Sequence, residues 1–244
     1  MKSNRAAPRS PNFLVELERQ CANATVLRDE TRAKILLGVG RILSTKGYQR
    51  AMIREVCEGM DISRAAFYQY FNNKTEAIAE ILDGFCDFIY RHSVGVGRGR
   101  SDFERIYEVT RFYIEIYSEN KGLFAAQYKL AEEDSAYSNG WTALQEKWRD
   151  RLARYILRAT RAKPESYDHA LPLSYMLTSM ANDFLYRLIF ENDAKIRWLR
   201  KHPSNVAAMI SVVWYRAIFG RDPEAQDVKG RIDLTYSGVL PIIR

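Results

Sequence analysis

Residues 47–77 read GYQRAMIREVCEGMDISRAAFYQYFNNKTEA, and this stretch is the most informative part of the sequence. Residues 53–58 and 63–71 each place apolar side chains at helical spacing, and a break at residues 59–61 separates the two runs. Two helices of about two turns joined by a tight turn form a helix-turn-helix. The apolar side chains expected to face inward are Ile53, Val56, Cys57, Ala66 and Phe67, with Ile62 under the turn.

The other side chains of these two runs are expected to point outward. A serine at the start of the second run can cap its helix, because its hydroxyl accepts a hydrogen bond from a free backbone amide. Arginine and glutamine can reach base edges in a major groove, whereas tyrosine and lysine suit phosphate contacts that set register. The residues predicted to contact DNA are Arg54, Ser63, Arg64, Ala65, Tyr68, Gln69, Tyr70 and Lys74.

The rest of the chain is predicted to be helical as well. Apolar residues recur at helical spacing over about residues 29–46, 74–92, 101–118, 141–156, 167–192 and 204–219, and no run alternates convincingly with period two. We therefore predict an all-α fold. Gly47 and Gly220 are expected to end the helices that precede them, since glycine adopts the left-handed backbone of a helix end without strain.

The quoted stretch resembles the DNA-binding domain of the TetR/AcrR family of bacterial transcriptional regulators. AFYQYFNNK, residues 66–74, is the most specific part, and the resemblance covers about residues 29–78. The residues that carry it are Ile35-Leu36, Gly47-Tyr48, Ile53, Val56, Ile62-Ser63, Phe67-Tyr68, Tyr70-Phe71 and Lys74. The resemblance implies a homodimer that binds a near-palindromic operator in double-stranded DNA, most simply a repressor released by a small-molecule effector. Activation is the alternative mode of regulation.

Three positions depart from the family pattern. Met52 stands where the family usually has a threonine, Asp61 replaces the turn glycine, and Ala77 replaces a common leucine, with Ile78 expected to take over its packing. Aspartate tolerates a left-handed backbone better than most residues, so the turn is expected to survive. Met52 and Asp61 nevertheless motivate an alternative: a helical ligand-binding or scaffold protein with a degenerate helix-turn-helix.

The resemblance also implies a division of the chain. We predict a mobile N-terminal arm at residues 1–27, the helix-turn-helix DNA-binding domain at 28–76, a larger helical domain for ligand binding and dimerisation at 77–222, and a C-terminal tail at 223–244. Residues 1–76 hold 13 Lys+Arg and 8 Asp+Glu, a net charge of +5, out of +7 for all 244 residues. Most of the excess positive charge therefore falls on about the first third of the chain, the part that contains the predicted helix-turn-helix.

The helical domain is rich in tyrosine and tryptophan, whose polar tips suit a mixed apolar and polar pocket. For each such side chain, packing in an ordinary helical core is the alternative. Asp183 either anchors a ligand or, as we favour, pairs with Arg187 one turn later. The predicted pocket residues are Tyr113, Tyr117, Phe124, Tyr128, Trp148, Tyr175, Met176, Met180 and Asp183.

The last two long helical patterns resemble the family's dimerisation pair. Two such helices from each subunit would form a four-helix interface. Packing within one chain is the alternative for these side chains. The predicted interface residues are Tyr186, Val206, Met209, Ile210, Val213 and Trp214.

Composition excludes several other classes of protein. Hydrophobic residues make up 47% and charged residues 27%, as in ordinary globular proteins. The uncharged runs are too short to span a bilayer, and the basic N-terminus lacks the apolar segment of a secretory signal. The cysteines are widely spaced and the histidines lack paired spacing, so we predict a cytoplasmic protein without a metal site or a cofactor. The sequence contains no catalytic motif, so we predict that the protein is not an enzyme. The cysteines and histidines are Cys21, Cys57, Cys86, His92, His169 and His202.

Overall fold

The computed structural model describes residues 11–24, 27–50, 52–133 and 138–231, and for residues 27–29, 50 and 138–139 the backbone alone. Its helices are α1 (Phe13–Ala22), α2 (Leu27–Thr45), α3 (Ile53–Met60), α4 (Arg64–Tyr68), α5 (Lys74–Ser93), α6 (Asp102–Glu119), α7 (Lys121–Glu133), α8 (Ser138–Thr160), α9 (Tyr167–Tyr186), α10 (Pro203–Phe219) and α11 (Ala225–Val228). Short 3-10 turns lie at Tyr48–Arg50, Pro164–Ser166 and Arg197–Lys201, and a π-helical turn lies at Arg187–Glu191. These described residues contain no strand, which confirms the predicted all-α fold class.

The helices form two compact units, and the division passes through α5, α6 and α8. The first unit comprises the chain up to Arg91 together with Ile116–Trp141. It contains α2, α3 and α4, the helices predicted for the DNA-binding domain, and their shared core is apolar. The buried side chains at its centre are Ile35, Val39, Leu43, Val56, Cys57, Phe67 and Phe71. The predicted domain boundaries divide the chain by role rather than by packing, and they stay a prediction.

The first unit also holds α7 against the end of α2. A Cβ atom at Gly122 would lie 2.5 Å from the Ser44 Cα and 2.6 Å from the Leu43 carbonyl oxygen. No side chain fits in that space, so glycine permits the two backbones to touch. Gly47 follows directly with φ 83° and ends α2, as the sequence predicts.

Part of the predicted N-terminal arm is a docked helix rather than a free segment. Phe13 and Leu17 of α1 are buried. The backbone N–H of Phe13 donates to the Asn120 Oδ1 at 2.8 Å, and the Asn120 Nδ2 donates to the Pro11 carbonyl at 2.8 Å. Asn12 caps the helix by accepting from the backbone N–H of Leu14 at 3.0 Å. Residues 1–10 and 25–26 of that predicted arm lie outside the described residues.

The second unit comprises His92–Glu115 and the chain from Thr142 onward. Its core draws side chains from α6, α8, α9, α10 and α11: Phe103, Ile106, Ala153, Ile156, Ala170, Leu177, Ala208, Val212, Tyr215, Ile218 and Val228. Gly220 ends α10 with φ 64°, as predicted. Of the tail predicted at residues 223–244, residues 223–231 are described and include α11. No helix in the described part of the chain has the length and apolar character needed to cross a membrane.

Candidate functional site

The turn of the helix-turn-helix forms despite the replacement of its glycine. Asp61 follows α3 with φ 52° and ψ 52°, which is the left-handed conformation. The next residue closes the turn, because the Ile62 N–H donates to the Cys57 carbonyl at 3.0 Å. The prediction that aspartate supports this turn is therefore confirmed.

The second helix of the motif begins at a serine cap. The Ser63 hydroxyl accepts a hydrogen bond from the Ala66 N–H at 3.0 Å, and α4 starts at Arg64. Phe67 is buried and packs its ring against Phe71 with centroids 5.7 Å apart. These two anchors fix which side of α4 faces solvent.

Five of the predicted DNA-contacting residues share the exposed side of this motif: Ser63, Arg64, Ala65, Tyr68 and Gln69. Tyr68 is 54% exposed, which is unusual for so large an aromatic side chain. Among the described residues no carboxylate lies within ion-pair distance of Arg64, so its guanidinium is available to an external acceptor. We call these five residues the α4 surface.

The other three predicted DNA-contacting residues are arranged differently. Arg54 is exposed and lies 3.7 Å from the Glu58 carboxylate, an exposed pair that contributes little to stability. Tyr70 and Lys74 are half-buried, and the Lys74 Nζ lies 5.6 Å from the centre of the Tyr48 ring. Lys74 therefore has a packing contact as well as a charge.

Met52 begins α3 without a capping hydrogen bond from its side chain and is 55% exposed. A threonine hydroxyl at this position could accept from a backbone amide of α3 or donate to a phosphate, and a thioether does neither well. The first turn of α3 therefore lacks a side-chain cap.

The second unit contains a cavity of about 220 Å³. Side chains from α6, α8, α9 and α10 line it, together with the segment that follows α5. Tyr113 and Trp148, two of the predicted pocket residues, both line it, and their rings pack edge to face with centroids 5.0 Å apart. The Tyr113 hydroxyl donates to the Asn182 Oδ1.

Tyr155 also lines the cavity, and its hydroxyl donates to the Asp102 carboxylate at 3.3 Å. Burial, with a smaller effect from the Asp102 charge, raises the pKa of this hydroxyl above its ordinary value. The Tyr155 hydroxyl is thus a neutral donor at physiological pH.

The structure does not bring the remaining predicted pocket residues to this cavity. Tyr117, Phe124 and Tyr128 belong to the first unit, where the Tyr117 and Phe124 rings stack at 3.8 Å and the Tyr117 and Tyr128 hydroxyls lie 3.0 Å apart. Their aromatic character serves a packed core, the alternative noted for them. Residues Tyr175, Met176, Met180 and Asp183 of α9 are exposed and do not line it either. Asp183 pairs with Arg187 at 2.9 Å, the arrangement favoured from the sequence.

The predicted dimer residues fall into two groups. Val206 and Ile210 are buried within the chain, and Ile210 and Trp214 line the cavity. The side chains of Val206 and Ile210 are thus already covered by their own chain, which corrects the expectation that these two residues face a partner. Val213 is exposed, and Tyr186, Met209 and Trp214 are half-buried.

Sequence reasoning missed the polar part of the cavity lining. Gln145, Arg149 and Arg158 lie on α8 together with Trp148, Leu152 and Tyr155, and all of them line the cavity. Their spacing of three and four residues was a usable signal, since such residues share one helix face. Arginine and glutamine on the same helix face as these aromatic residues indicate a partly polar cavity wall, because a packed apolar core excludes such side chains.

An all-α chain with an exposed, capped helix-turn-helix and a separate cavity-bearing helical unit defines a class: helix-turn-helix DNA-binding regulators. Residues 40–81 match the family described as bacterial regulatory proteins, tetR family. The HTH-type transcriptional regulator EthR of Mycolicibacterium smegmatis is 24% identical over 209 residues, which cover 80% of this chain and 89% of that protein. ArpR of Pseudomonas putida, a probable HTH-type transcriptional regulator, is 23% identical over 90 residues, 37% of this chain and 42% of that protein.

Two crystal structures share the fold. A protein from Syntrophomonas wolfei assigned to the TetR family superposes with a TM-score of 0.57 at 17% identity, covering 78% of this chain and 95% of that one. A transcriptional regulator from Aquifex aeolicus gives a TM-score of 0.52 at 16% identity, covering 74% and 99%. Residues 40–81 thus match the DNA-binding domain of the TetR family, and over most of its length the chain is similar to an HTH-type transcriptional regulator.

Proposed function

We propose that the chain is a homodimeric repressor that leaves a near-palindromic operator when a small-molecule effector occupies the cavity of the second unit. The α4 surface is the observation that carries this proposal. It combines a capped helix start, a small residue at Ala65 that permits close approach, and an arginine and a glutamine able to read base edges. As a DNA-binding regulator of a bacterial family, the protein is proposed to act in the cytoplasm.

The cavity supports the effector part of the proposal. A small-molecule site is typically concave and mostly apolar, with a few placed polar groups, and this cavity has that character. An effector shifts DNA affinity only through its differential affinity for the two states of the protein. The effector is therefore expected to bind the operator-free dimer more tightly than the operator complex.

The exposed apolar side chains of α9 and α10 support the homodimer. Met176 is 62% exposed, and Tyr175, Met180 and Val213 are exposed as well. Exposed apolar groups on two long helices of one unit are typical of a surface that a partner covers. A two-fold dimer would place one α4 surface on each operator half-site, one or more DNA turns apart.

Substitution of Arg64 tests the proposed base contact. In a fluorescence anisotropy titration against DNA from upstream of its own gene, Arg64→Ala should weaken specific binding by about tenfold or more, since a good base contact contributes about 1–3 kcal/mol. Binding to unrelated DNA should change much less. Arg197→Ala, which removes an exposed arginine of the second unit, is the matched control and should leave both affinities unchanged.

Lys74 separates a phosphate contact from a packing role. If it contacts a phosphate, Lys74→Ala weakens binding to all DNA sequences and lowers the slope of log K against log salt by about one. If it only packs over Tyr48, the variant lowers thermal stability and leaves that slope unchanged. Unchanged operator affinity in both the Arg64 and the Lys74 variant would contradict the proposed DNA-reading surface.

A further inference from the structure

Two buried hydrogen-bond donors at the cavity have no acceptor within the described part of the chain. The Arg149 Nε and the Trp214 Nε1 are both buried and unpaired there, and both residues line the cavity. A buried donor without a partner costs about 1–3 kcal/mol, so such groups are uncommon in native proteins and call for an explanation. A ligand that supplies acceptors would satisfy both donors.

The charge around the cavity favours one sign of ligand. Arg105, Arg149, Arg151 and Arg158 line it, and no aspartate or glutamate does so among the described residues. Arg105 has a carboxylate partner, Asp102, at 2.9 Å. Arg151 donates instead to the Ser93 and Val96 carbonyls at 3.1 and 3.2 Å.

Arg149 is the arginine of this set that has an unpaired buried donor. Its Nη2 donates to the Gln145 Oε1 at 2.7 Å, and its guanidinium carbon lies 4.2 Å from the centre of the Tyr175 ring. Both neighbours are neutral, and no described carboxylate lies within ion-pair distance. A half-buried guanidinium held in place by neutral partners, with its Nε free, is prepared for an anion.

The rest of the lining defines the body of the ligand. Phe112, Trp148, Leu152 and Leu185 contribute apolar surface, and the volume is about 220 Å³. An apolar cavity of about 150 Å³ holds benzene. The cavity of this protein therefore fits one aromatic ring that carries a short substituent.

We propose that the effector is a small aromatic monocarboxylate, with its ring among the apolar side chains and its carboxylate held by Arg149 and Trp214. This inference rests on the proposed function, in which the cavity is the effector site. Arginine and an indole N–H are donors without acceptor capacity, so together they select an acceptor-only group such as a carboxylate. The positive lining disfavours an amine of the same size.

Three probes with the same skeleton test the sign of the charge: phenylacetate, phenylacetamide and phenethylamine. Each is titrated by calorimetry into the full chain without DNA. Phenylacetate should bind about tenfold or more tightly than the neutral amide, since a charge-assisted hydrogen bond is about twice as strong as a neutral one. Phenethylamine should bind most weakly. Equal or tighter binding of the amide or the amine, or no binding of any probe at millimolar concentration, would overturn the proposal.

Substitutions of Arg149 and Trp214 test which hydrogen-bond donor causes the preference for the carboxylate. Arg149→Gln should weaken phenylacetate binding about tenfold and change amide binding little, whereas Arg149→Lys should retain part of the preference for the anion. Trp214→Phe keeps the ring, removes the N–H and should weaken phenylacetate binding severalfold. Arg154→Gln is the control, because Arg154 lies on the same helix, is exposed and pairs with Asp150 at 2.9 Å. Unchanged phenylacetate affinity in a natively folded Arg149→Gln variant would remove Arg149 from the site.

An operator titration in parallel separates this proposal from the proposed function. If phenylacetate binds in an Arg149-dependent manner but leaves the operator complex intact, the anion site stands and effector release fails. If the phenylacetamide probe releases the operator and phenylacetate does not, effector release stands and the anion preference fails.

Discussion

Asp61 is a residue whose backbone conformation limits what the position accepts. Its φ of 52° lies in the region that side chains with a Cβ atom enter at a cost of about 1–2 kcal/mol, less for aspartate. Asp61→Gly is expected to raise the free energy of unfolding by about 0.5–1 kcal/mol, because relief of that strain outweighs the added freedom of the unfolded chain. Urea denaturation followed by circular dichroism measures this change.

Glu58 provides the matched control for the same substitution. Glu58 lies in α3 with an ordinary helical backbone, so Glu58→Gly should lower the free energy of unfolding by about 1 kcal/mol. The two glycine variants are thus expected to shift stability in opposite directions. A loss of stability in Asp61→Gly as large as that in Glu58→Gly would show that the aspartate side chain itself stabilises the turn.

At the scale of helices, the parts predicted well from the sequence are those held by near neighbours. The helix-turn-helix is determined by side chains within about twenty residues, such as Val56, Phe67 and Phe71, so helical periodicity is sufficient to find it. Helix α1 falls within the predicted mobile arm because the residue that fixes it, Asn120, lies 107 positions away from Phe13 in the sequence. No local pattern carries information about such a partner.

The cavity shows the same limit. Tyr113 and Tyr117 lie one turn apart on α6 and look equivalent in the sequence, yet one lines the cavity of the second unit and the other packs in the core of the first. Periodicity identifies which face of a helix is apolar, but it does not identify the element that covers that face.

The docking of α1 gives a prediction for Asn120. Asn120→Ala removes the buried acceptor of the Phe13 N–H and the donor of a half-buried hydrogen bond to the Pro11 carbonyl. It should lower the free energy of unfolding by about 1–3 kcal/mol. Hydrogen exchange should rise over α1 more than over α3, because α1 loses its main polar anchor.

Asn205→Ala is the control for that variant. Asn205 is half-buried in α10, and its side chain forms no hydrogen bond with any other described residue. This variant should keep the stability of the native chain and the exchange protection of α1. Unchanged protection of α1 in Asn120→Ala would mean that Phe13 and Leu17 hold the helix by apolar packing alone.

At the scale of the whole molecule, charge and apolar exposure point to different partners. Residues 1–76 carry a net charge of +5, and residues 77–244, with 24 Lys+Arg and 22 Asp+Glu, carry +2. The basic excess therefore falls in the part of the chain that contains the α4 surface, which supports contact with a polyanion. The long helices of the second unit instead expose methionine, tyrosine and valine, which supports contact with a protein surface.

The proposed dimer predicts that one charge placed on this apolar surface separates the subunits. Met176→Glu and Val213→Glu each put a carboxylate where the partner would bury apolar area, and an unpaired buried charge costs several kcal/mol. Light scattering coupled to size exclusion should give a dimer for the native chain at micromolar concentration and monomers for both variants. Because a dimer binds both half-sites of a palindrome, operator affinity should fall about tenfold or more while the α4 surface stays folded.

Val15→Glu, which alters an apolar residue of α1 that is 60% exposed, should leave the dimer intact. A native chain that stays monomeric, or dimers that persist in both α9 and α10 variants, would contradict this interface, and operator binding by a monomer would contradict the requirement for two-fold symmetry.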